Sequence, residues 1–469
     1  MNNVEGVNSH PILESFAMEG LNGYKNISIN FNHSVKIVAA ENGSGKTTLL
    51  NALNAILTRN FHKINEYDFV KLKIKFKDTE VIELNKTDVD FTGEDISDQP
   101  VTSMLLNVGL ELDEIRKALD GFSELSPSEW RRTPIYRALY DEGPWDHNDT
   151  YQQLVELSEQ IKSTTPTIDE ISKKVKLALG GAKIMYLPTY RRIEAQLPEF
   201  SSSNRRVRSR ITGRLVHRKQ DDWGGGNSIN FGLNDVQRKL ETITAEIKSR
   251  TASAYAKISG RTLEQLLSTG DIDKSLGDEL NINNLKVILA RLGKSEAENK
   301  LSKLFESGDI HKDKNKYLKS FLGQMLEIYR ETQAQEFAIE QFVSLVESYW
   351  RDNVEEKHLT YDKLSVKVNL VNVFTGDSLS LNNLSSGEKQ MISIFARLYL
   401  NPGNKYIILI DEPELSLSID WQRKFLVDIS KSHACVQLVA ITHSPHIFDN
   451  ELDAYAGALN VSFTKERLI

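Results

Sequence analysis

The stretch AAENGSGKTTLL combines a glycine-rich turn with a lysine and two adjacent threonines. Gly43 and Gly45 allow backbone conformations in which successive N–H groups point inward and bind phosphate oxygens. Lys46 has the reach to contact β- and γ-phosphates, and the hydroxyl of Thr47 is a suitable ligand for Mg²⁺. The usual pattern has a glycine at the position of Ala40, and alanine fits there if φ is negative. The pattern predicts binding of ATP or GTP.

Two acids and a histidine follow apolar runs near the end of the sequence. In KYIILIDEPELSLS, a predicted strand over 406–410 ends at Asp411 and Glu412, and in QLVAITHSP another strand ends at Thr442 and His443. Asp411 is placed to hold the Mg²⁺ shell, and Glu412 is placed to polarise an attacking water. His443 is a candidate donor to the γ-phosphate or to that water. The alternative to these catalytic roles is that the two acids are simply solvated at the end of a strand and that the histidine is structural.

The surrounding patterns predict the elements that position these residues. Residues 14–38 and 65–87 alternate as short strands do, and the apolar spacing after Lys46 is helical. Near the end of the sequence, helix, apolar strand, helix and apolar strand follow one another, which predicts a parallel sheet. Because ligands bind at the carboxyl ends of such strands, we expect the glycine-rich loop, Asp411 and His443 to share one edge.

Between these segments the patterns are mostly helical. Residues 100–180 and 233–350 have helical spacing, whereas KIMYLP, which ends at Pro188, and residues 363–381 are typical of strands. Each helical stretch spans only a few heptads, so we expect a short helical bundle or hairpin rather than a long coiled coil.

Composition narrows the class of protein. The chain has 469 residues, a net charge of −7 and 26% charged residues, which is normal for a globular protein. No apolar run approaches the ~20 residues that span a bilayer, and the start lacks a secretion signal. A single cysteine, Cys435, excludes a disulfide framework. We therefore expect a cytoplasmic protein that makes no membrane contact.

Residues 205–219, RRVRSRITGRLVHRK, contain seven Lys or Arg and no acid. A solvated, mobile loop is one interpretation. A basic arm for nucleic acid or for an acidic partner surface is the other. The run contains no aromatic residue, so any nucleic-acid contact would be to phosphates rather than by base stacking.

The motifs resemble those of the ATP-binding cassette (ABC) ATPases. The Glu-Asn before Gly43, the segment LSSGEKQ over 384–390, DEPELSLS and His443 occur in the order of that family. The resemblance implies an α/β fold: an ABC-type ATPase head with a mixed sheet and a P-loop, split by a largely helical insertion. It implies ATP and Mg²⁺ as cofactors, with Thr47 and Asp411 as metal-site residues and Glu412 and His443 as catalytic residues. The ATP-binding residues would be Asn42, Gly43, Ser44, Gly45, Lys46, Thr47 and Thr48.

The signature segment of that family binds the ATP of a second head. Ser385 stands where the signature serine contacts the γ-phosphate across a dimer, and Gly387 matches the second signature glycine, while Ser386 replaces the first. Glu388 replaces the glutamine common in transporters. The resemblance therefore implies a homo-oligomer of ATP-sandwiched dimers or a higher assembly, with Ser385, Ser386, Gly387 and Glu388 binding ATP in trans. The glutamine loop of the family has no clear match, and Gln196 is a candidate.

The long stretch between the P-loop helix and the signature disfavours transporters. This split head looks like the branch of chromosome-maintenance, repair and OLD ATPases. The segments GYKNISINF and DEPELSLS are similar to the ATPases of bacterial anti-phage systems, and YLPTYRRIE looks most like the AriA ATPases of PARIS systems, with Septu ATPases second. We expect this division: residues 1–95, N-terminal head; 96–180, helical insertion; 181–200, head strand and loop; 201–362, basic loop and helical bundle; 363–469, C-terminal head.

Two functional classes stay open. In the first, the chain is an ATP-gated sensor and scaffold that holds or activates a separate effector nuclease and responds to a phage-encoded trigger protein. We expect the nuclease to be a separate protein because the sequence ends soon after His443, and the resemblance implies one of the Toprim type, or alternatively of the HNH type. In the second, the chain is a repair ATPase of the SMC/RecF-like class that acts directly on DNA. The basic run at 205–219 is compatible with both.

Overall fold

The computed structural model describes two units of the chain. The described residues are 11–39, 43–89, 100–108, 110, 112–119, 122, 125–142, 145–163, 166–189, 207–208, 215–216, 233–267, 281–293, 295–351, 356–401 and 403–464. The first unit comprises residues 1–229 and 405–469, and the second unit comprises residues 230–404. Among the described residues, no helix combines the length and apolar composition needed to cross a bilayer.

A parallel sheet forms the centre of the first unit. Its strands are β3 (Val35–Ala39), β6 (Lys183–Leu187), β11 (Tyr406–Asp411), β12 (Cys435–Thr442) and the short β13 (Ala456–Gly457). They lie in the order β13-β3-β12-β11-β6. All six residues of β11 are buried, as continuous apolar runs in a doubly covered parallel sheet require. The predicted strand, helix, strand order is confirmed, and the carboxyl ends of β3, β12, β11 and β6 share one edge.

The first unit also contains an antiparallel sheet. Its strands are β1 (Leu13–Leu21), β2 (Lys25–Asn30), β4 (Lys71–Phe76), β5 (Ile82–Asn85) and β14 (Asn460–Phe463), in the order β14-β2-β1-β4-β5. β4 alternates as predicted, with Leu72, Ile74 and Phe76 buried and lysines between them. The predicted α/β fold is thus confirmed, and of its two five-stranded sheets one is parallel and one is antiparallel.

The helices of the first unit include α1 (Lys46–Leu57), α2 (Phe61–Asn65), α3 (Lys86–Val89), α4 (Pro100–Asn107), α5 (Leu112–Leu119), α6 (Pro127–Trp130), α7 (Pro134–Glu142), α8 (His147–Ser163), α9 (Pro166–Leu179) and α15 (Ile419–Ser430). α1 and the helices between 100 and 179 lie in segments predicted to be helical, whereas the pattern did not predict the two short helices α2 and α3. α1 contacts β1, β6 and β11, and one apolar core joins Leu53 to both sheets. A separate core, which includes Leu105, Phe122 and Leu139, lies within the helices between 100 and 163.

The second unit is mainly helical. It contains α10 (Leu233–Leu267), α11 (Ile282–Arg291), α12 (Ser295–Glu306), α13 (Lys316–Arg351), α14 (Ser386–Tyr399) and the hairpin of β9 (Lys357–Asp362) and β10 (Lys367–Asn372). The long helices α10 and α13 pack together. Arg291 and Glu336 form a bidentate ion pair, with Nη2 and Oε2 2.6 Å apart, that joins α11 to α13.

The strands of the second unit begin earlier in the sequence than predicted. The expected strands over 363–381 lie at 357–372 instead, because the Asp362 carboxylate accepts from the Leu364 N–H and the Ser365 hydroxyl and makes a turn there. The basic run at 205–219 lies largely outside the described residues. Within it, β7 (Val207–Arg208) and β8 (Leu215–Val216) form a short antiparallel pair.

Candidate functional site

The P-loop turn has the backbone conformation that its glycines predict. Gly43 and Gly45 have φ of 77° and 96°, in the left-handed region that side chains with a Cβ disfavour. Gly45 is the N-cap of α1, so the helix begins at Lys46 as predicted, with Thr47 and Thr48 in its first turn. Asn42 and Ala40 lie outside the described residues. The turn therefore places backbone N–H groups next to the N-terminus of α1, and this is an arrangement that binds phosphate.

Lys46 lies at the centre of the site. Its side chain is buried, with 6% of the residue exposed, and its ammonium donates to the imidazole of His443, with Nζ 2.5 Å from Nε2. Burial lowers the pKa of this ammonium, whereas the carboxylates of Glu412 and Asp411 oppose that shift. A buried cation with little water around it attracts the negative charges of a ligand strongly, whereas its acidic neighbours repel those charges unless a bound cation such as Mg²⁺ neutralises them.

The acids at the end of β11 lie beside the P-loop helix, as predicted. The hydroxyl of Thr47 donates to Asp411 Oδ2 over 3.1 Å, and Asp411 is 3% exposed. Glu412 has a left-handed backbone, with φ of 53°, and its Oε1 lies 4.0 Å from Nε2 of His443. The partly exposed side chains of Glu412 and His443 thus lie together, within reach of solvent.

Glu414 fixes the turn that carries His443, and sequence reasoning missed it. One oxygen of its carboxylate accepts from the backbone N–H of His443 at 2.7 Å and from that of Ser444 at 3.2 Å. The other oxygen accepts from the Thr442 hydroxyl at 2.8 Å. These three bonds join the loop after β11 to the loop after β12. The only signal in the sequence is that Glu414 belongs to the acidic DEPE segment.

Lys25 and Thr189 are two further residues that the motif pattern did not predict. Lys25, on β2, is 7% exposed and donates to the carbonyl of Gly43 over 3.2 Å, and burial lowers its pKa. Thr189 follows β6, and its hydroxyl donates to Asp411 Oδ2 over 3.0 Å. A polar residue just beyond an apolar strand was the available signal for Thr189. Gln196, the predicted glutamine-loop candidate, lies outside the described residues.

The oxygen atoms that converge at this site suit a nucleotide bound together with Mg²⁺. Two hydroxyls and a buried carboxylate converge next to the P-loop, and such hard oxygen donors are those that Mg²⁺ prefers. Within the described part of the chain, the Ser44 hydroxyl oxygen is buried and has no hydrogen-bond partner. A buried hydroxyl in a phosphate-binding turn, left unsatisfied by the protein, suits a phosphate oxygen as its acceptor.

The residues predicted to form a signature segment lie in the second unit. Ser385 is the N-cap of α14, which begins at Ser386 and contains Gly387 and Glu388 in its first turn. Glu388 accepts from the Ser385 N–H over 2.6 Å, and Lys357 donates to both of its carboxylate oxygens at 2.7 and 2.8 Å. The Glu388 carboxylate is therefore occupied in holding the loop. The Ser385 hydroxyl accepts only a long bond, 3.4 Å, from the Glu388 N–H.

Comparison with known proteins identifies the family. The model of the AAA ATPase domain matches residues 12–448, a range that includes both acidic and glycine-rich motifs. A retron Vc95 probable ATPase of Vibrio cholerae serotype O1 biovar El Tor is 29% identical over 147 residues, which are 28% of this chain and 28% of that protein. A retron Ec83 probable ATPase of Escherichia coli is 26% identical over 249 residues, 46% of this chain and 43% of that protein.

The matched stretches therefore span less than half the length of either curated relative. The family match is broader, since it runs from the beginning of the first described strand to beyond His443. It agrees with a glycine-rich turn, a buried lysine and strand-end acids that lie together in the structure. This chain belongs to the AAA ATPase domain family.

Proposed function

We propose that the chain binds ATP with Mg²⁺ at this site and hydrolyses it to ADP and phosphate. The observation that carries the proposal is the convergence of four adjacent strand ends. β3 leads to the P-loop, β12 to His443, β11 to Asp411 and Glu412, and β6 to Thr189. Ligands of open α/β sheets bind beyond the carboxyl ends of the strands, and here those ends carry both cation and carboxylates.

The proposal assigns a role to each residue of the site. Lys46 leaves the imidazole of His443 and contacts the β- and γ-phosphates, while the P-loop N–H groups bind their oxygens. Thr47 and Asp411 hold Mg²⁺, which when bound neutralises charge on the phosphates. Glu412 accepts the proton of the attacking water, and His443 donates to that water or to the γ-phosphate. Glu414 keeps the backbone of His443 in place for this step.

We propose further that the ATP site is completed by a second copy of the chain. The N-terminus of α14 carries partial positive charge, and Ser385 lies at that terminus, where its hydroxyl accepts a long hydrogen bond from the Glu388 N–H. These properties suit a γ-phosphate. Ser385, Ser386 and Gly387 would contact it from the second copy, and the Lys357–Glu388 pair would hold their loop.

The biological role we propose is that of an ATP-gated sensor and scaffold in a bacterial anti-phage complex. Similarity to two proteins named as retron ATPases supports a system of several components. The chain would hold a separate nuclease and release or activate it when a phage protein is sensed. An AriA-type ATPase with a Toprim nuclease is the preferred form of this proposal, and a Septu-type ATPase with an HNH nuclease is the second.

Co-expression with the products of neighbouring genes tests this role against direct action on DNA. We expect the chain to co-purify with a nuclease whose activity depends on the nucleotide state of the ATPase. Arg205, Arg206, Arg208 and Arg210 are replaced by alanine in the same experiments, because they carry four of the seven positive charges of the basic run. The repair alternative requires the opposite: tight, salt-dependent DNA binding by the chain alone that these four substitutions abolish, with no nuclease bound.

A further inference from the structure

Thr189 occupies a position in the sheet from which it can reach a bound metal ion. β6 and β11 are parallel neighbours, with Leu187 opposite Ile410, so the two strands end side by side. Asp411 is the last residue of β11, and Thr189 follows β6 after Pro188. Pro188 has no N–H group to donate to a neighbouring strand, and the pairing of β6 with β11 ends at Leu187. Thr189 is thereby held at the edge where the phosphates would lie.

The hydroxyls of Thr189 and Thr47 converge on the same atom. Thr189 Oγ1 lies 3.0 Å from Asp411 Oδ2, and Thr47 Oγ1 lies 3.1 Å from it. The two threonines come from different elements, since Thr47 lies on α1 and Thr189 follows β6. Asp411 is therefore flanked by two hydroxyls that are attached to two separate parts of the fold.

From this geometry we infer that Thr189 is a third residue of the Mg²⁺ site, together with Thr47 and Asp411; the inference rests on the proposed ATP site. A hydroxyl has one hydrogen to donate and two lone pairs to offer. Thr189 can therefore keep its bond to Asp411 while its oxygen faces the metal or a water bound to the metal. Mg²⁺ usually keeps several waters in proteins, and groups that orient them strengthen binding.

Under other roles for Thr189, removal of its hydroxyl would not weaken Mg²⁺ binding. If its hydroxyl only held Asp411 in the absence of metal, that bond would compete with Mg²⁺, and removing it would strengthen metal binding. If it were only a packing contact, removal would leave metal binding unchanged. The Mg²⁺ dependence of nucleotide binding thus separates these roles, and it needs no hydrolysis.

The test measures binding of a non-hydrolysable ATP analogue by calorimetry, across a Mg²⁺ titration and in EDTA. Thr189→Val keeps the shape of the side chain and removes the hydroxyl. We expect it to raise the Mg²⁺ concentration at half-maximal binding on the order of tenfold, while affinity in EDTA stays unchanged. Thr189→Ser, which keeps the hydroxyl, should behave like the wild type.

The matched control is Thr58→Val, in which the lost hydroxyl donates to the carbonyl of Asn54 at the end of α1. It should leave the Mg²⁺ dependence unchanged. If Thr189→Val unfolds, Thr189→Ala is measured in its place. An unchanged or lower Mg²⁺ requirement in the variant overturns the role of Thr189 alone. A wild-type chain that binds no analogue, with or without Mg²⁺, overturns the proposed ATP site itself.

Discussion

Lys46→Ala should abolish ATP binding and hydrolysis. The Lys46 ammonium lies at the first residue of α1, is 6% exposed and has the carboxylates of Asp411 and Glu412 nearby. In the ATP complex it would be the cation in direct contact with the β- and γ-phosphates. Losing such a preorganised contact costs on the order of 10²-fold or more in rate. We expect calorimetry to show weak or no binding and phosphate release to fall to background.

The matched control is Lys77→Ala, which changes an exposed lysine in the turn between β4 and β5 of the same unit. It should bind and hydrolyse ATP like the wild type, and thermal unfolding should confirm that both variants are folded. Wild-type affinity and turnover in Lys46→Ala would mean that the glycine-rich turn does not bind the phosphates of ATP.

Glu412→Gln should keep ATP bound while stopping its turnover. The amide preserves the shape of the side chain but cannot accept a proton from the attacking water. Glu412 is suited to that task because it follows β11 directly, is partly exposed and lies 4.0 Å from His443. Loss of a general base lowers rates by ~10²–10⁴-fold. Single-turnover hydrolysis should show this loss with ATP affinity unchanged.

The same variant should accumulate an ATP-bound dimer, because hydrolysis would no longer separate two heads joined through ATP. Sedimentation velocity with and without ATP measures this association. Glu451→Gln, on an exposed carboxylate that pairs with Lys431, is the control and should turn over ATP normally. Hydrolysis by Glu412→Gln at the wild-type rate would assign the base to another residue.

The centre of the site could be predicted from the sequence because it depends on local rules. A strand followed by a glycine-rich turn and a helix fixes where Lys46 points, and an apolar strand fixes where Asp411 emerges. Since both signals lie within a few residues, they need no knowledge of the tertiary structure. The parallel order of the last strands then implied that these residues meet.

Thr189, Glu414 and Lys25 could not be predicted in the same way. Thr189 meets Asp411 only because β6 pairs with β11, and strand order was not fixed by the sequence pattern. Glu414 binds backbone N–H groups of a loop that follows a different strand, and Lys25 reaches the P-loop from the antiparallel sheet. These contacts depend on how separate elements pack, which local patterns do not encode.

The hairpin of the second unit shows how accurately a sequence pattern can place a turn. The alternation over 363–381 was correct in kind, but the turn lies at 363–366 because Asp362 hydrogen bonds to the residues after it. An aspartate followed two and three residues later by suitable donors is a common turn signal. The apolar residues around it, such as Leu364 and Val366, concealed that signal.

Complementation between two inactive variants tests most directly whether a second copy completes the ATP site. Ser385→Arg fills the space that the γ-phosphate needs, and Lys46→Ala removes the cation from the P-loop, so each variant alone should be inactive. A mixed dimer contains one site with both changes and one site with neither. After subunit exchange, shown by tagging the two variants differently, we predict that ATP hydrolysis returns to a substantial fraction of the wild-type rate. Wild-type hydrolysis by Ser385→Arg alone, or a strictly monomeric wild-type chain that hydrolyses ATP with a rate per molecule independent of its concentration, would contradict a site shared between two copies.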